Sequence, residues 1–205
     1  MLSLTDTPLS AIKFDDRIYQ INLAFDNVIK YLELVEDDSE NKELEALKLF
    51  FGDQEIPLDP DFIESSFKLI NETITKSAYQ GNSSKDWSMN IAPQHIYSYE
   101  QDADAIYSSF MMQYHIDLLK ERGKMHWCVF RALFDGLSED TPIQRIIELR
   151  QKNLTDVPDE QRGKVMQLQQ YYALKLKKPK TEEDVFNNSS LSSAFASLMN
   201  TAKGG

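Results

Sequence analysis

The sequence has little of what disulfides, membrane spans or flexible linkers require. Its 205 residues include one cysteine, so no internal disulfide can form, and seven glycines and seven prolines are too few for a linker-dominated chain. No apolar run approaches the roughly 20 residues that span a bilayer. The first residues also lack the basic start and the apolar core of a signal peptide. These absences predict a soluble protein in a reducing compartment, most simply the cytoplasm.

The excess negative charge belongs to the first half of the chain. Residues 1–100 carry 19 acidic and 8 basic side chains, whereas residues 101–205 carry 14 of each. An acidic surface repels phosphate backbones and anionic lipid headgroups, so we expect neither nucleic acid nor a membrane as a partner. The charge favours solubility and a basic protein partner, although a plain solvated acidic face explains it equally well.

Hydrophobic periodicity predicts a mainly α protein: a compact helical bundle with a small N-terminal β-hairpin and a flexible C-terminal tail. Alternating apolar residues predict the hairpin at about 11–22, and helical spacing begins at residue 23. A loop is expected at about 76–97, followed by helices within 98–150 and a last helix at about 158–177. Residues 1–176 are therefore predicted to form a single domain.

Several helix ends carry local signals. Asn22 is expected to cap the first helix, and Asp59-Pro60 to open the third with a cap and a proline at its first position. The stretch Ser98–Gln101 fits a capping box for a helix that runs to about Leu119. The next helix is expected over Met125–Leu137.

The segment 177–205 is polar and low in complexity, but it contains a short amphipathic pattern that is too short to form a stable helix alone. Two interpretations stay open. The segment is either a frayed tail or a tether that orders in the groove of a partner. The apolar residues of the pattern, which would contact that partner, are Leu191, Phe195, Leu198 and Met199.

No pattern of catalytic, cofactor-binding or metal-binding residues is recognisable. The sequence has no Gly-rich phosphate loop, no G-x-S-x-G elbow, no Cys-x-x-Cys and no histidines at i, i+4 spacing. His126 is interpreted as a packing histidine. Cys128 is interpreted as a small buried hydrophobe that does not meet its neighbours, because adjacent side chains on a helix diverge by about 100°. Asp102 and Asp104 face apart and suit the positive end of a helix dipole. We therefore expect no enzyme and no cofactor.

An ordered set of motifs lies between residues 101 and 150. It reads Gln-Asp, Ile-Tyr-x-x-Phe, Tyr-x-Ile-Asp-Leu, His-Trp-x-x-Phe-x-x-Leu and Ile-x-x-x-Arg. In order and spacing this set resembles the gene product fifteen family of long-tailed phages of Gram-positive bacteria. We interpret its residues as core and packing positions. They are Gln101, Asp102, Ile106, Tyr107, Phe110, Tyr114, Ile116, Asp117, Leu118, His126, Trp127, Phe130, Leu133 and Arg150.

The resemblance implies a tail assembly chaperone of siphophages. Such a protein binds the tape measure protein, keeps it soluble and helps recruit tail tube subunits. It works in the host cytoplasm and is absent from the mature virion. Further expected partners are copies of the chain itself and a longer form made by translational frameshifting.

Three other functions stay open at this point. The chain could be a structural minor tail protein that is retained in the virion, which mass spectrometry of purified particles would detect. It could be an enzyme that uses Asp102 or His126, which substitution of those residues would test. It could also be an acidic decoy for a nucleic-acid-binding protein, in which case binding would collapse with salt.

Overall fold

The computed structural model describes residues 2–36, 42–75 and 96–175. These residues form one β-hairpin and seven α-helices, which confirms the mainly α prediction with an N-terminal hairpin. A short 3-10 helix at Leu154–Asp156 precedes the last α-helix. In chain order the elements are β1 (Ala11–Phe14), β2 (Arg17–Gln20), α1 (Phe25–Glu36), α2 (Lys42–Phe51), α3 (Pro60–Thr75), α4 (Ala103–Tyr114), α5 (Trp127–Asp135), α6 (Pro142–Gln151) and α7 (Asp159–Tyr171).

Two predicted features fall largely or wholly outside the described residues. Of the loop predicted at about 76–97, the structure describes only residues 96 and 97, which belong to no helix or strand. The C-terminal tail predicted for residues 177–205, with its apolar pattern, lies wholly outside.

The hairpin closes through a tight two-residue turn. Its strands are antiparallel and run from Ala11 opposite Gln20 to Phe14 opposite Arg17. The turn residues Asp15-Asp16 both adopt positive φ, 44° and 58°. Such a turn matches the right-handed twist of the flanking strands, and aspartate is one of the residue types that tolerate this conformation. The two adjacent aspartates are therefore suited to this turn, and the hairpin lies within the predicted range of about 11–22.

The described residues fall into two compact units. The first contains the described part of 1–82 together with residues 122–131, and the second contains the described parts of 83–121 and of 132–178. Helix α5 contributes residues 127–131 to the first unit and 132–135 to the second. A single folding domain over 1–176 stays a prediction.

Aromatic rings fill the core of the first unit. Phe62 of α3 is fully buried, and its ring meets those of Phe14 and Tyr19 at centroid distances of 5.2 and 4.9 Å. The hairpin therefore gains from α3 the apolar support that two strands alone lack. Phe25 stacks on Phe130 at 4.8 Å and so joins α1 to the start of α5.

A glutamine supports the outer edge of the hairpin. The Oε1 atom of Gln54 accepts a hydrogen bond from the backbone N–H of Gln20 at 3.1 Å, and its Nε2 donates to the Gln20 carbonyl at 2.7 Å. We call such a two-bond pairing of a side-chain amide with a backbone N–H and a backbone C=O a glutamine clamp. This clamp stands where a third strand would pair.

Helices α4 and α6 form the core of the second unit. Phe110 of α4 and Ile143 of α6 are both fully buried. The hydroxyl of Ser109 accepts from the Ile143 N–H at 3.1 Å and thereby satisfies a free donor at the start of α6. Thr141 precedes α6, but its hydroxyl donates to the Ser138 carbonyl and makes no cap bond.

A second glutamine clamp fixes the chain after α5. The Nε2 of Gln113 donates to the Gly136 carbonyl at 2.9 Å, and its Oε1 accepts from the Ser138 N–H at 2.8 Å. The clamped residues leave the helical conformation, so α5 ends at Asp135 and not at Leu137 as predicted.

Helices α1 and α5 both begin later than predicted, and for one reason: the residues just before them are paired with each other. Helix α1 begins at Phe25, since Ala24 forms an isolated β-bridge with His126, and the Asn22 side chain accepts from the Ala24 N–H. The same bridge delays α5 from Met125 to Trp127. The predicted start of α3 is confirmed, with a bond from the Asp61 N–H to the Asp59 carboxylate at 2.8 Å.

Helix α4 is shorter than predicted at both ends. Ser98 accepts from the Gln101 N–H as a capping box requires, but residues 99–102 form turns and the helix begins at Ala103. It ends at Tyr114 and not near Leu119, because His115 adopts a left-handed conformation with φ of 56°. A left-handed residue commonly ends a helix, but it is usually glycine, so the sequence signal was weak.

Helix α7 also ends before its predicted limit. It runs from Asp159 to Tyr171, whereas the apolar pattern predicted a helix to about residue 177. Ala173 and Lys175 instead bond to a third glutamine clamp, which belongs to the candidate site.

Candidate functional site

The most buried polar pair of the motif set lies in the second unit. Arg150 of α6 and Asp102, at the N-terminus of α4, form a two-point ion pair, with Nη1 to Oδ2 at 2.7 Å and Nη2 to Oδ1 at 2.8 Å. Their side chains are 9% and 4% exposed. The planar fork of arginine fits a carboxylate in this way and fixes two helices in one relative orientation.

The remaining polar atoms of this pair are also bonded. The Arg150 Nε donates to the Tyr172 carbonyl at 2.7 Å, and Nη1 donates to the Ile96 carbonyl at 3.0 Å. Asp102 Oδ2 also accepts from the Ser98 N–H at 2.9 Å. The burial of both charges is therefore compensated by hydrogen bonds as well as by their attraction.

Gln101 forms the third glutamine clamp, beside this ion pair. Its Nε2 donates to the Ala173 carbonyl and its Oε1 accepts from the Lys175 N–H, both at 2.9 Å. The first and last motifs in the sequence thus meet, and both hold the segment that follows α7. Sequence reasoning assigned Asp102 to the helix dipole and missed its partner 48 residues away.

The carboxylate of Asp117 is bonded by three groups in the loop after α4 and on α4 itself. Tyr107 Oη donates to Asp117 Oδ1 at 3.3 Å, the Leu119 N–H donates to the same oxygen at 3.1 Å, and Lys120 makes an ion pair with Oδ2 at 3.2 Å. The hydrogen bond from Lys120 is the largest cause of a lowered pKa of the Asp117 carboxyl. Tyr114 donates to the Leu133 carbonyl at 2.9 Å, and burial raises the pKa of its phenol.

His126, in the first unit, joins the N-terminal segment to the start of α5 by hydrogen bonds of its imidazole ring. Its Nδ1 accepts from the Cys128 N–H at 3.2 Å, so Nε2 carries the proton and donates to the Leu9 carbonyl at 3.0 Å. Burial lowers the pKa of this imidazole, which favours the neutral ring. Trp127 and Arg131, one helical turn apart, both donate to the Ile74 carbonyl in the last turn of α3.

The expectation that Cys128 does not meet its sequence neighbours is wrong for His126. The Cys128 Sγ lies 3.1 Å from the His126 Nδ1, because His126 precedes α5 and its side chain does not follow helical geometry. Burial raises the pKa of the thiol, and the side chain is largely buried. These conditions oppose thiolate formation.

The motif residues are distributed between interior and partly exposed positions. Buried members are Ile106, Phe110, Leu118, Trp127, Phe130 and Asp102. Partly buried members are Tyr107, Tyr114, Ile116, Asp117, His126 and Leu133, whereas Gln101 is exposed. Arg150 is partly buried as a whole residue, but its side chain is only 9% exposed.

Exposed apolar side chains offer surfaces that a partner could contact. In the second unit, α4 exposes Met111 and Met112, and α7 exposes Met166, Leu168 and Tyr171. Methionine is flexible and polarisable, which suits it to irregular apolar partners. In the first unit the exposed apolar residues are Leu2, Leu4, Ile18, Leu44 and Leu58.

Within the three described ranges, no group of histidine, cysteine, aspartate and glutamate side chains is arranged to hold a metal ion. None of the helices in those ranges is long and apolar enough to cross a bilayer. The four apolar tail residues proposed from the sequence as partner contacts lie outside the described residues.

Comparison with known proteins gives one finding. A family model described as bacteriophage Gp15 protein matches residues 4–174. This span includes the hairpin, all five motifs and α7, and it confirms the resemblance that the motif set indicated. No curated protein and no solved structure matches the chain significantly.

Proposed function

Because this chain belongs to the bacteriophage Gp15 protein family, we propose that it is a tail assembly chaperone. It binds the tape measure protein, keeps that protein soluble and helps recruit tail tube subunits during siphophage tail assembly. It acts in the host cytoplasm and leaves before the virion is complete. The observation that carries the proposal is the family match over residues 4–174, together with the ordered motifs from Gln101 to Arg150.

The exposed apolar side chains support this function. A tape measure protein is a very long and largely helical chain with apolar faces that need cover before the tube forms around it. Helical partners bind by laying an apolar face against another apolar surface. Met112 and Tyr171, which are 56% and 79% exposed, would provide such contacts.

The charge distribution also fits a chaperone that acts in many copies. The acidic first half keeps neighbouring copies soluble and makes them repel one another except where they share a partner. We propose that copies associate on the tape measure protein and that a longer, frameshifted form joins them. Light scattering of the purified chain with and without a tape measure fragment tests this association.

The proposed function is tested by co-expression. The full chain is produced together with a fragment of the tape measure protein from the same phage, and the soluble fraction of the fragment is measured. We expect solubility to rise severalfold, and Met112→Lys or Met166→Lys to reduce the gain. Gln167→Lys, an exposed neighbour on α7, is the matched control and keeps it. A fragment that stays equally insoluble with the chain present would contradict the proposal.

A second experiment separates this function from a structural minor tail protein. Mass spectrometry of purified virions detects tail proteins that are retained. We expect peptides of this chain in infected-cell lysates and not in virions. Stoichiometric amounts in virions would instead favour the structural function.

A further inference from the structure

Helix α7 packs against the rest of the second unit with little burial of apolar side chains. The helix lies wholly within the described residues, and none of its 13 side chains is buried. Its inner side consists of the partly buried Val165 and Gln169, whereas Met166, Leu168 and Tyr171 are exposed. A helix of this length is marginal in water unless packing supports it. The docked position must therefore be held mainly by other contacts.

Those contacts are hydrogen bonds from side chains to backbone carbonyls and amides. Gln169 Nε2 donates to the carbonyls of Leu149 and Lys152 at 2.9 and 2.8 Å. The Gln101 clamp holds Ala173 and Lys175, and Arg150 holds the Tyr172 carbonyl. Water can replace each of these bonds, so each contributes little net free energy to docking.

A pivot for movement lies directly before the helix. Val157 is buried and anchors the chain, and Pro158 follows it. Arg162 donates to the carbonyls of Leu154 and Val157, which ties the first turn of α7 to the pivot and not to α4 or α6. An anchored Val157 and a connected first turn are the contacts that a pivot at this point requires.

The buried ion pair does not depend on the docked helix. Of the four hydrogen bonds that the Arg150 guanidinium donates, one goes to Tyr172, and the other three go to Asp102 and Ile96. Asp102 also keeps its bond from the Ser98 N–H. Helices α4 and α6 thus stay joined when the contacts to residues 172–175 are lost.

We propose that residues 159–175 form a releasable arm, which undocks from the second unit as one piece while α4 and α6 stay folded. The Gln101 clamp sets the docked population of this arm. Release exposes the partly buried Val165 and Gln169 of α7 and frees the backbone carbonyls of Leu149 and Lys152. Local opening of this kind is characteristic of segments with few buried apolar contacts.

Amide hydrogen exchange of the full-length chain, followed by mass spectrometry, tests the arm directly. We expect the helical amides of residues 163–171 to exchange at least tenfold faster than those of α4. Increasing urea should accelerate exchange in α4 much more than in the arm, because local release exposes less surface than unfolding. Equal exchange rates in the two helices at every urea concentration would overturn the proposal.

A pair of matched variants identifies the clamp as the controlling contact. Gln101→Ala removes two bonds from the arm, and we expect exchange in the arm to rise about tenfold without change in α4. Gln113→Ala removes a clamp of the same geometry from the Gly136–Ser138 segment and should leave the arm unchanged. Gln169→Ala, which also removes two bonds to the arm, is a second variant should Gln101→Ala fail to fold. Equal acceleration of the arm and of α4 by both arm variants would overturn the proposal.

Discussion

The ion pair between Asp102 and Arg150 permits a quantitative prediction. Both side chains are at least nine-tenths buried, and they join the start of α4 to the last turn of α6. Asp102→Ala removes the carboxylate and leaves the guanidinium buried without its counter-charge. Arg150→Ala does the reverse and also removes the bonds to Ile96 and Tyr172.

The expected loss is large compared with the stability of a small protein. Removing one partner of a buried pair costs about 3–5 kcal/mol in free energy of unfolding. Natural domains have only about 5–15 kcal/mol in total. At roughly 2–4 °C per kcal/mol for a chain of this size, the melting temperature should fall by about 6–20 °C. The double variant should lose less than the sum of the two single variants, because neither charge is then left unpaired.

Urea unfolding followed by circular dichroism measures these values, and the two single and one double variant complete a double-mutant cycle. Asp140→Ala is the control, since Asp140 pairs with Arg145 at the surface at 3.4 Å and both side chains are mostly exposed. A surface pair of this kind contributes little, so the midpoint should stay unchanged. A midpoint shift for Asp102→Ala no larger than that for Asp140→Ala, or single effects that simply add, would refute this prediction.

Three further predictions concern the first unit. Burial lowers the pKa of His126 below its ordinary value of 6.5, so the unfolded chain takes up a proton first as pH falls. The free energy of unfolding should be at its highest above about pH 6.5 and should decrease as the pH falls from there to the folded-state pKa of His126. His126→Gln should flatten this part of the plot of urea midpoint against pH. Trp127→Ala should cost about 3–5 kcal/mol as a large core truncation. Trp127→Phe should cost less, because it loses mainly the bond to the Ile74 carbonyl; equal losses would contradict this view. The raised pKa and burial of Cys128 predict slow reaction with a disulfide reagent at pH 8 in the folded protein and fast reaction in urea. Equal rates in both states would contradict that prediction.

The sequence predicted the elements better than their ends. Apolar spacing is a local signal, so it predicted the hairpin and the mainly helical character of the described residues. The ends depend on contacts from distant residues: the bridge between Ala24 and His126 delays α1 and α5, and the clamp from Gln113 ends α5. No local pattern around Gly136 reports that a glutamine 23 residues away pairs with it.

The candidate site shows the same limit more sharply. Motif spacing singled out Gln101, Asp102 and Arg150 but did not show that they meet. The first turn of a helix is a reasonable place for an acidic residue by itself, so nothing local demanded a partner for Asp102. The signal for this contact was Arg150, a basic residue that closes the motif set. It lies on α6, the helix that packs on α4, and is therefore within reach of Asp102. Likewise, the contact between His126 and Cys128 follows from where α5 begins, a boundary that the sequence placed two residues too early.

The three glutamine clamps limit which substitutions the fold tolerates at these positions. Gln54, Gln101 and Gln113 each face a carbonyl oxygen and an amide hydrogen at the same time. Glutamate has nearly the same shape, but its carboxylate only accepts, so it would set two oxygens against each other and add charge to an already acidic molecule. Spontaneous deamidation at these three positions would therefore weaken the contacts that hold the clamped segments. The same change at the exposed Gln167 would have little effect on stability.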